Sequence, residues 1–371
     1  MNTELMLYSY GFVCLAMLLF NIVYLFVQNR RGRTLAGRVS AARAVISAQA
    51  RQLEKTGALS QSHAARLRSG LQRLGRLLTF DEALTGFEKE HPAQAEAYLR
   101  AAAPVFTQLA PVYGRKESEQ AAYFAYFLSR HPAAAQPASD ALCESLLGYL
   151  RKRNVYCHVN VLQALYAFSS PDCLKKALDL VDESGVYIHT KILTDGLLTY
   201  QGRRDELNSM LMDAFQGFSP ALQLAILNYF RFGRIADRDF FYRIMTDEAQ
   251  DKELRLASLR YFAAAPDREA EQQLIAFASN DDPGAWEYAA VAATALAGYP
   301  GEATNEALKK ALHHRNWYVR KNAAQSLSRL GLHYHDLSEV LESKDRYARE
   351  MMMYRLEQNR RQNAGEKNRH E

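Results

Sequence analysis

Apolar residues recurring at a fixed long interval constrain this chain more than any other feature. Leu165, Leu197, Phe230, Phe262, Leu296 and Leu327 follow one another at gaps of 32, 33, 32, 34 and 31 residues. Four positions before each stand Val161, Leu193, Ile226, Ser258, Ala292 and Ala323. Eight before stand Cys157, His189, Leu222, Leu254, Tyr288 and Val319. Offsets of four and eight share one helical face, so every period carries a helix with the same inward stripe. A first helix with its own stripe precedes it, as in Leu174/Leu178/Val181 and Leu308/Leu312. One such hairpin cannot bury its stripe alone and must stack on neighbours. The chain past residue 80 shows almost no strand signal, and 48% apolar residues can fill such a core.

Capping residues set the register. Eleven positions before the anchors sit Asn154, Ser219, Asp251 and Asn316, whose short polar side chains can accept bonds from unpaired first-turn N–H groups. Pro220 suits the first helical position. Val186 and Ala285 break this pattern, so those two units are the least regular.

Asp251-x-x-Leu254-Arg255 and Asn316-x-x-Val319-Arg320, the latter followed by Ala323-Ala324-x-x-Leu327, resemble the HEAT repeat of helical solenoids, nearest to its short-period variety. The resemblance covers about residues 140–331 and is strongest over 303–331. The tetratricopeptide repeat has a similar period, but its Trp-Leu-Gly-Tyr-Ala-Phe-Pro signature is missing here. The expected fold is therefore all-α: an alpha solenoid of HEAT-like hairpins, preceded by one transmembrane helix and a basic helical stalk. Its expected parts are an anchor at 1–28, a basic arm at 29–78, capping helices at 79–140, the repeat array at 141–357 and a disordered tail at 358–371.

Residues 5–27 contain no charge. As a helix they would reach about 34 Å, enough for a hydrocarbon core of ~30 Å. Tyr8, Tyr10 and Tyr24 lie toward the two ends, where amphipathic rings suit the headgroup boundary. A cleaved signal peptide would need a basic start, a shorter apolar run and small residues at a cleavage site; Met1-Asn2-Thr3-Glu4 and the bulky end of this run lack them. No Lys or Arg precedes the run, whereas Arg30, Arg31, Arg33, Arg38 and Arg43 follow it. The excess of positive residues on the inner side predicts a single pass through the cell (plasma or inner) membrane, with the amino terminus outside and the rest cytoplasmic.

The arm, 29–78, holds eleven Lys/Arg and one acid, Glu54, for a net charge of +10, while 79–371 carry −4. Leu35, Val39, Ala42, Val45 and Ile46, then Leu67, Leu71, Leu74, Leu77 and Leu78, recur at helical spacing, with a break predicted at 57–62. The arginines read as the solvated face of a stalk and as the topology signal. Arg30, Arg31, Arg33 and Arg38 are also candidates for anionic headgroups. Nucleic acid is not an expected partner, because the arm lacks aromatics that could stack on bases.

The four cysteines, Cys14, Cys143, Cys157 and Cys173, form no C-x-x-C pair. They suggest neither a disulfide framework nor a zinc site, and free thiols at the last three fit a reducing compartment. His313, His314, His333 and His335 cluster in sequence only, since adjacent histidines point apart. Cys157 and His158 are helix neighbours that do not face each other. No cofactor, metal or small-molecule substrate is expected. The resemblance admits enzymes, but each lacks its feature here. The only His-Glu pair of a hydroxylase type is His370-Glu371; a glycosylase-type groove would be basic; bilin lyases are soluble.

What remains is a surface. Two positions before each anchor stand Gln163, Asp195, Asn228, Arg260, Thr294 and Gln325, all polar, forming a ladder down the second helices with Tyr166, Tyr200, Arg231 and Arg329 nearby. The expectation is a non-catalytic scaffold that binds a protein partner at the membrane through this concave row. The alternative is an accessory or regulatory subunit of a membrane enzyme or transporter complex, for example a polysaccharide synthase.

Overall fold

In the computed structural model the backbone is described at all residues except 1, 2, 138, 236 and 371; side chains 3–9, 25–32 and 362–370 also fall outside the described residues. The helices run α1 (Thr3–Thr56), α2 (Gln61–Gly70), α3 (Leu74–Glu90), α4 (Pro92–Gly114), α5 (Ser118–Arg130), α6 (Asp140–Tyr149), α7 (Val155–Phe168), α8 (Pro171–Glu183), α9 (Thr190–Leu198) and α10 (Arg204–Asp213). They continue with α11 (Pro220–Phe232), α12 (Arg238–Thr246), α13 (Lys252–Phe262), α14 (Arg268–Ala278), α15 (Trp286–Ala295), α16 (Glu302–Ala311), α17 (Trp317–Arg329), α18 (Ser338–Leu341) and α19 (Arg346–His370). No strand occurs among the described residues. Two compact units share the chain: 1–188 with 199–211, and 189–198 with 212–371.

In the first unit the apolar run and half of the arm are one continuous helix. It stops at Gly57, whose φ of +71° suits glycine and whose N–H reaches Leu53 O at 2.8 Å. The far end of α1 buries Ile46 and Ala50 against α3 and α4. The second half of the arm is tied down too: His63 shares a 2.9 Å hydrogen bond with the Tyr98 hydroxyl, and Tyr113 donates to Leu71 O at 2.7 Å. The arm is therefore docked from residue 46 onward rather than a free-standing stalk, and Arg51, Arg66, Arg68, Arg73 and Arg76 lie on its exposed face. Arg33 and Arg38 are exposed; Arg30 and Arg31 lie outside the described side chains. Of the expected span, side chains 10–24 are described and 5–9 and 25–27 are not. Among the described residues no helix is long and apolar enough to cross a membrane.

The second unit shows how the repeats stack. Alternate helices α9, α11, α13, α15, α17 and α19 pack in sequence as one row, with α12, α14 and α16 as their partners on the other side. All six anchor residues, Leu165 in the first unit and Leu197, Phe230, Phe262, Leu296 and Leu327 in the second, are fully buried. The expected caps form: Asn154, Ser219, Asp251 and Asn316 accept from the N–H groups of Cys157, Leu222, Glu253 and Tyr318. His189 and Tyr288 are not on the buried stripe. In the Val186 unit, which lacks a capping side chain, the second helix starts late, at Thr190, and Ile188 fills the inward position; in the Ala285 unit the helix starts in register at Trp286 and Ala289 fills it.

One regularity was not read from the sequence. The residue four past each cap reaches back to a carbonyl in the preceding turn. His158 donates to Lys152 O at 2.9 Å, Gln223 to Phe215 O at 2.9 Å, Arg255 to Met245 O at 3.2 Å, Arg320 to His314 O at 2.8 Å and Arg349 to Ser343 O at 2.7 Å. Asp345, which accepts from the Tyr347 and Ala348 N–H groups, thus caps a further full unit whose anchor is the buried Leu356. Its helix α19 runs into the segment expected to be a disordered tail.

Tyrosines supply a second set of ties. Tyr113, Tyr149, Tyr200 and Tyr299 are buried and donate to Leu71, Ala110, Ser169 and Phe262 carbonyls at 2.7, 2.5, 3.1 and 3.0 Å. Burial pushes the Tyr299 hydroxyl up to about 12. Gly202 is required beside one of them, because a Cβ there would lie 2.1 Å from the Tyr200 hydroxyl. Tyr299→Phe removes a donor to Phe262 O and an acceptor for the Asp267 N–H. It is expected to cost about 1–3 kcal/mol in denaturant unfolding, the range for stranding buried backbone partners.

The cysteine reading needs correction. Cys143 and Cys173 are joined by a disulfide between α6 and α8, with Cα atoms 6.4 Å apart. They are 30 residues apart, about one repeat, so stacking brings equivalent faces together. Cys157 is free and buried among apolar groups, which push its thiol up to about 11.

Candidate functional site

Side chains on the second-helix row define a recess of the second unit, a cleft of about 550 Å³ between α17 and α19. It exists because α19 follows α17 after only a short connection, the four-residue α18 and its flanking turns, so two second helices face each other with large side chains at equivalent positions. Trp317, Lys321 and Gln325 lie four residues apart and form one wall. Tyr347, Glu350 and Tyr354 form the other, with Ala324 and Met351 between. Trp317, Tyr347 and Tyr354 are 47%, 67% and 66% exposed, unusually open for aromatic rings.

The cations are differently engaged. Arg320 is spent on the turn, with Nη1 at 2.8 Å from both His314 O and Arg315 O, and its guanidinium lies over the Tyr347 ring at 5.3 Å. Lys321 sits over Trp317 at 5.0 Å. Arg355 donates to Gln358 Oε1 at 2.8 Å, and its buried Nε has no protein acceptor. Glu350 is paired with Arg346 at 2.7 Å. The recess is therefore an aromatic trough with net positive charge.

The ladder residues fall where the trough continues. Gln325 lines the cleft itself, and Tyr354, two before Leu356, is the next rung, beyond the last one placed from the sequence. In the second unit Asp195 and Thr294 are exposed while Asn228, Arg260 and Gln325 are half-buried; in the first unit Gln163 is exposed. Asp195 pairs with Lys191 at 2.8 Å and Thr294 donates to its own helix at Ala290 O. Asn228 accepts from Arg231 at 3.1 Å. Burial and the charge of Arg260 lower the pKa of Arg231, so this rung gathers positive charge.

The other candidates are structural. His158 is a turn clamp. The His314 ring accepts from the Asn316 N–H, and His313 and His335 contact Asp345 and Asp336. Among the described residues no three potential metal ligands converge. Tyr166 and Tyr200 are buried and unavailable to a partner.

Residues 284–352 match the HEAT repeats family. The match begins just before α15 and ends within α19, so it reaches the start of the unit capped by Asp345 and takes in most of the cleft. The chain is a HEAT-like helical protein. No curated protein matches it.

Proposed function

We propose that this chain is a non-catalytic scaffold that binds a partner protein through the second-helix row, with the α17–α19 cleft as its strongest contact. The cleft carries this reading: open aromatic rings flanked by polar and charged groups are the composition of interface hot spots, and HEAT repeats are protein-interaction modules. Asn228, Arg260 and Gln325, with Asp195 and Thr294, supply hydrogen bonding along the row of the second unit, and Gln163 holds the equivalent position in the first. We further propose that residues 5–27 anchor it. The described part supports this, since Phe12, Leu15, Met17, Leu18, Leu19, Phe20, Ile22 and Val23 are all 55% or more exposed, around the whole circumference of α1. Apolar side chains exposed on every face belong in lipid. The arginines that follow place the repeat units in the cytoplasm on this reading.

The test is affinity capture from detergent-solubilised membranes with the wild type and an Asn228→Ala/Arg260→Glu variant. Partner recovery should fall at least tenfold in the variant; equal recovery removes the row from the interface. The accessory-subunit reading rests on Asn21, an exposed amide within the apolar run that could hydrogen-bond another membrane helix. Exchanging the run for an unrelated apolar helix separates the two: retained recovery means tethering alone.

A further inference from the structure

The α17–α19 cleft is aromatic on its walls, apolar at its floor and positively charged. Glu350 is neutralised by Arg346, whereas Lys321 and Arg355 have no carboxylate partner within the cleft. Along the same row, Arg231 and Arg260 add charge of the same sign. This is local, because residues 79–371 as a whole carry −4. The chain's own basic segments are poor occupants: 29–78 carry +10 and 359–371 carry +2. A free phosphate would use the cations and leave Trp317, Tyr347, Tyr354 and Met351 uncovered. Carboxylates spaced around an apolar side chain would use both.

We propose that the cleft receives an acidic peptide segment of the partner, its apolar side chain seated between Trp317 and Tyr354 and its carboxylates paired with Lys321 and Arg355. This rests on the scaffold reading and narrows it to one partner chemistry. Desolvated rings supply the contact area, and the cations choose the sign of the partner and speed its encounter.

The experiment is selection of a random-peptide display library on the full-length chain in detergent micelles. Lys321→Glu/Arg355→Glu and Tyr354→Ala proteins are run in parallel, each checked for unchanged helical circular dichroism and melting. All three sites are at the surface or half-buried, so folding should survive. The wild type should enrich peptides rich in Asp and Glu around Leu, Phe or Trp. Their affinity should fall at least about tenfold in each variant, and with added salt. Neutral or basic winners, no enrichment, equal binding by the charge-reversed protein, or displacement by inorganic phosphate beyond a chloride control of equal ionic strength would each overturn the proposal. Capture of a membrane partner that ignores Lys321 and Arg355 but needs Arg260 would leave the scaffold standing and discard only the acidic occupant.

Discussion

Replacing His131 with alanine should destabilise the first unit by about 3–5 kcal/mol, the range for stripping one partner from a buried ion pair. His131 is 1% exposed and lies between two carboxylates, with Nε2 at 2.8 Å from Asp81 and Nδ1 at 2.8 Å from Glu88. Asp81, 2% exposed, also accepts from the Tyr123 hydroxyl at 2.5 Å and faces Arg130 at 3.4 Å. Burial alone would push the His131 pKa down. The hydrogen bonds and charges of Asp81 and Glu88 outweigh it and hold the imidazolium above its usual range. Burial would likewise raise Asp81, but its bonds to His131 and Tyr123 and the nearby positive charges leave it lowered.

The pH dependence follows from these signs. A raised histidine pKa contributes stability that is complete below the unfolded value of about 6.5 and is lost as pH rises through the higher folded value. A lowered aspartate pKa contributes stability that is complete above about 4 and is lost as pH falls through the lower folded value. The wild type should therefore lose stability on both sides of a plateau between those limits. His131→Ala should abolish the alkaline decline attributable to this group. Urea titrations from acid to mildly alkaline pH check it; a wild type whose stability is flat above neutrality would show that the imidazole is neutral in the fold.

The second large effect is expected at Leu327. Its side chain is fully buried at the contact of α17 with its neighbours. Leu327→Ala should cost about 2–5 kcal/mol, the sum of lost burial and the cavity left behind. Each repeat is stabilised through its neighbours, so the loss should spread to the α15 and α19 contacts and loosen the cleft as well. Hydrogen exchange resolves this: protection should fall in α15, α17 and α19 together. Loss confined to α17 would mean that the units do not cooperate.

The repeat was legible because its signals are local. A cap such as Asn316 and the stripe Val319, Ala323 and Leu327 lie within one helix, and any helix built that way buries that face. The anchor and rung of the unit capped by Asp345 were not placed because Leu356 follows Leu327 after 29 residues rather than 31–34, and because its stripe begins with the small Ala348. Yet Asp345-x-x-Ala348-Arg349 repeats the cap-and-clamp pattern of Asn316 and Arg320 and was the available clue. The His131 cluster joins residues 43 and 50 positions apart through tertiary packing alone, so no spacing rule points to it. Polar rungs could be placed on the correct face from the sequence. Which of them border a recess depends on how α19 returns against α17, which the period does not encode.

The unbroken α1 has a mechanical consequence. Because no hinge separates the apolar run from the docked turn at Ile46, a rod held upright by lipid would hold the first unit at a set standoff. The nineteen residues from 27 to 46 rise about 28 Å at helical pitch. A partner that touches the first unit would have to project across a gap of that order, which favours one carried on a long linker or a tall neighbouring complex over one lying flat on the bilayer.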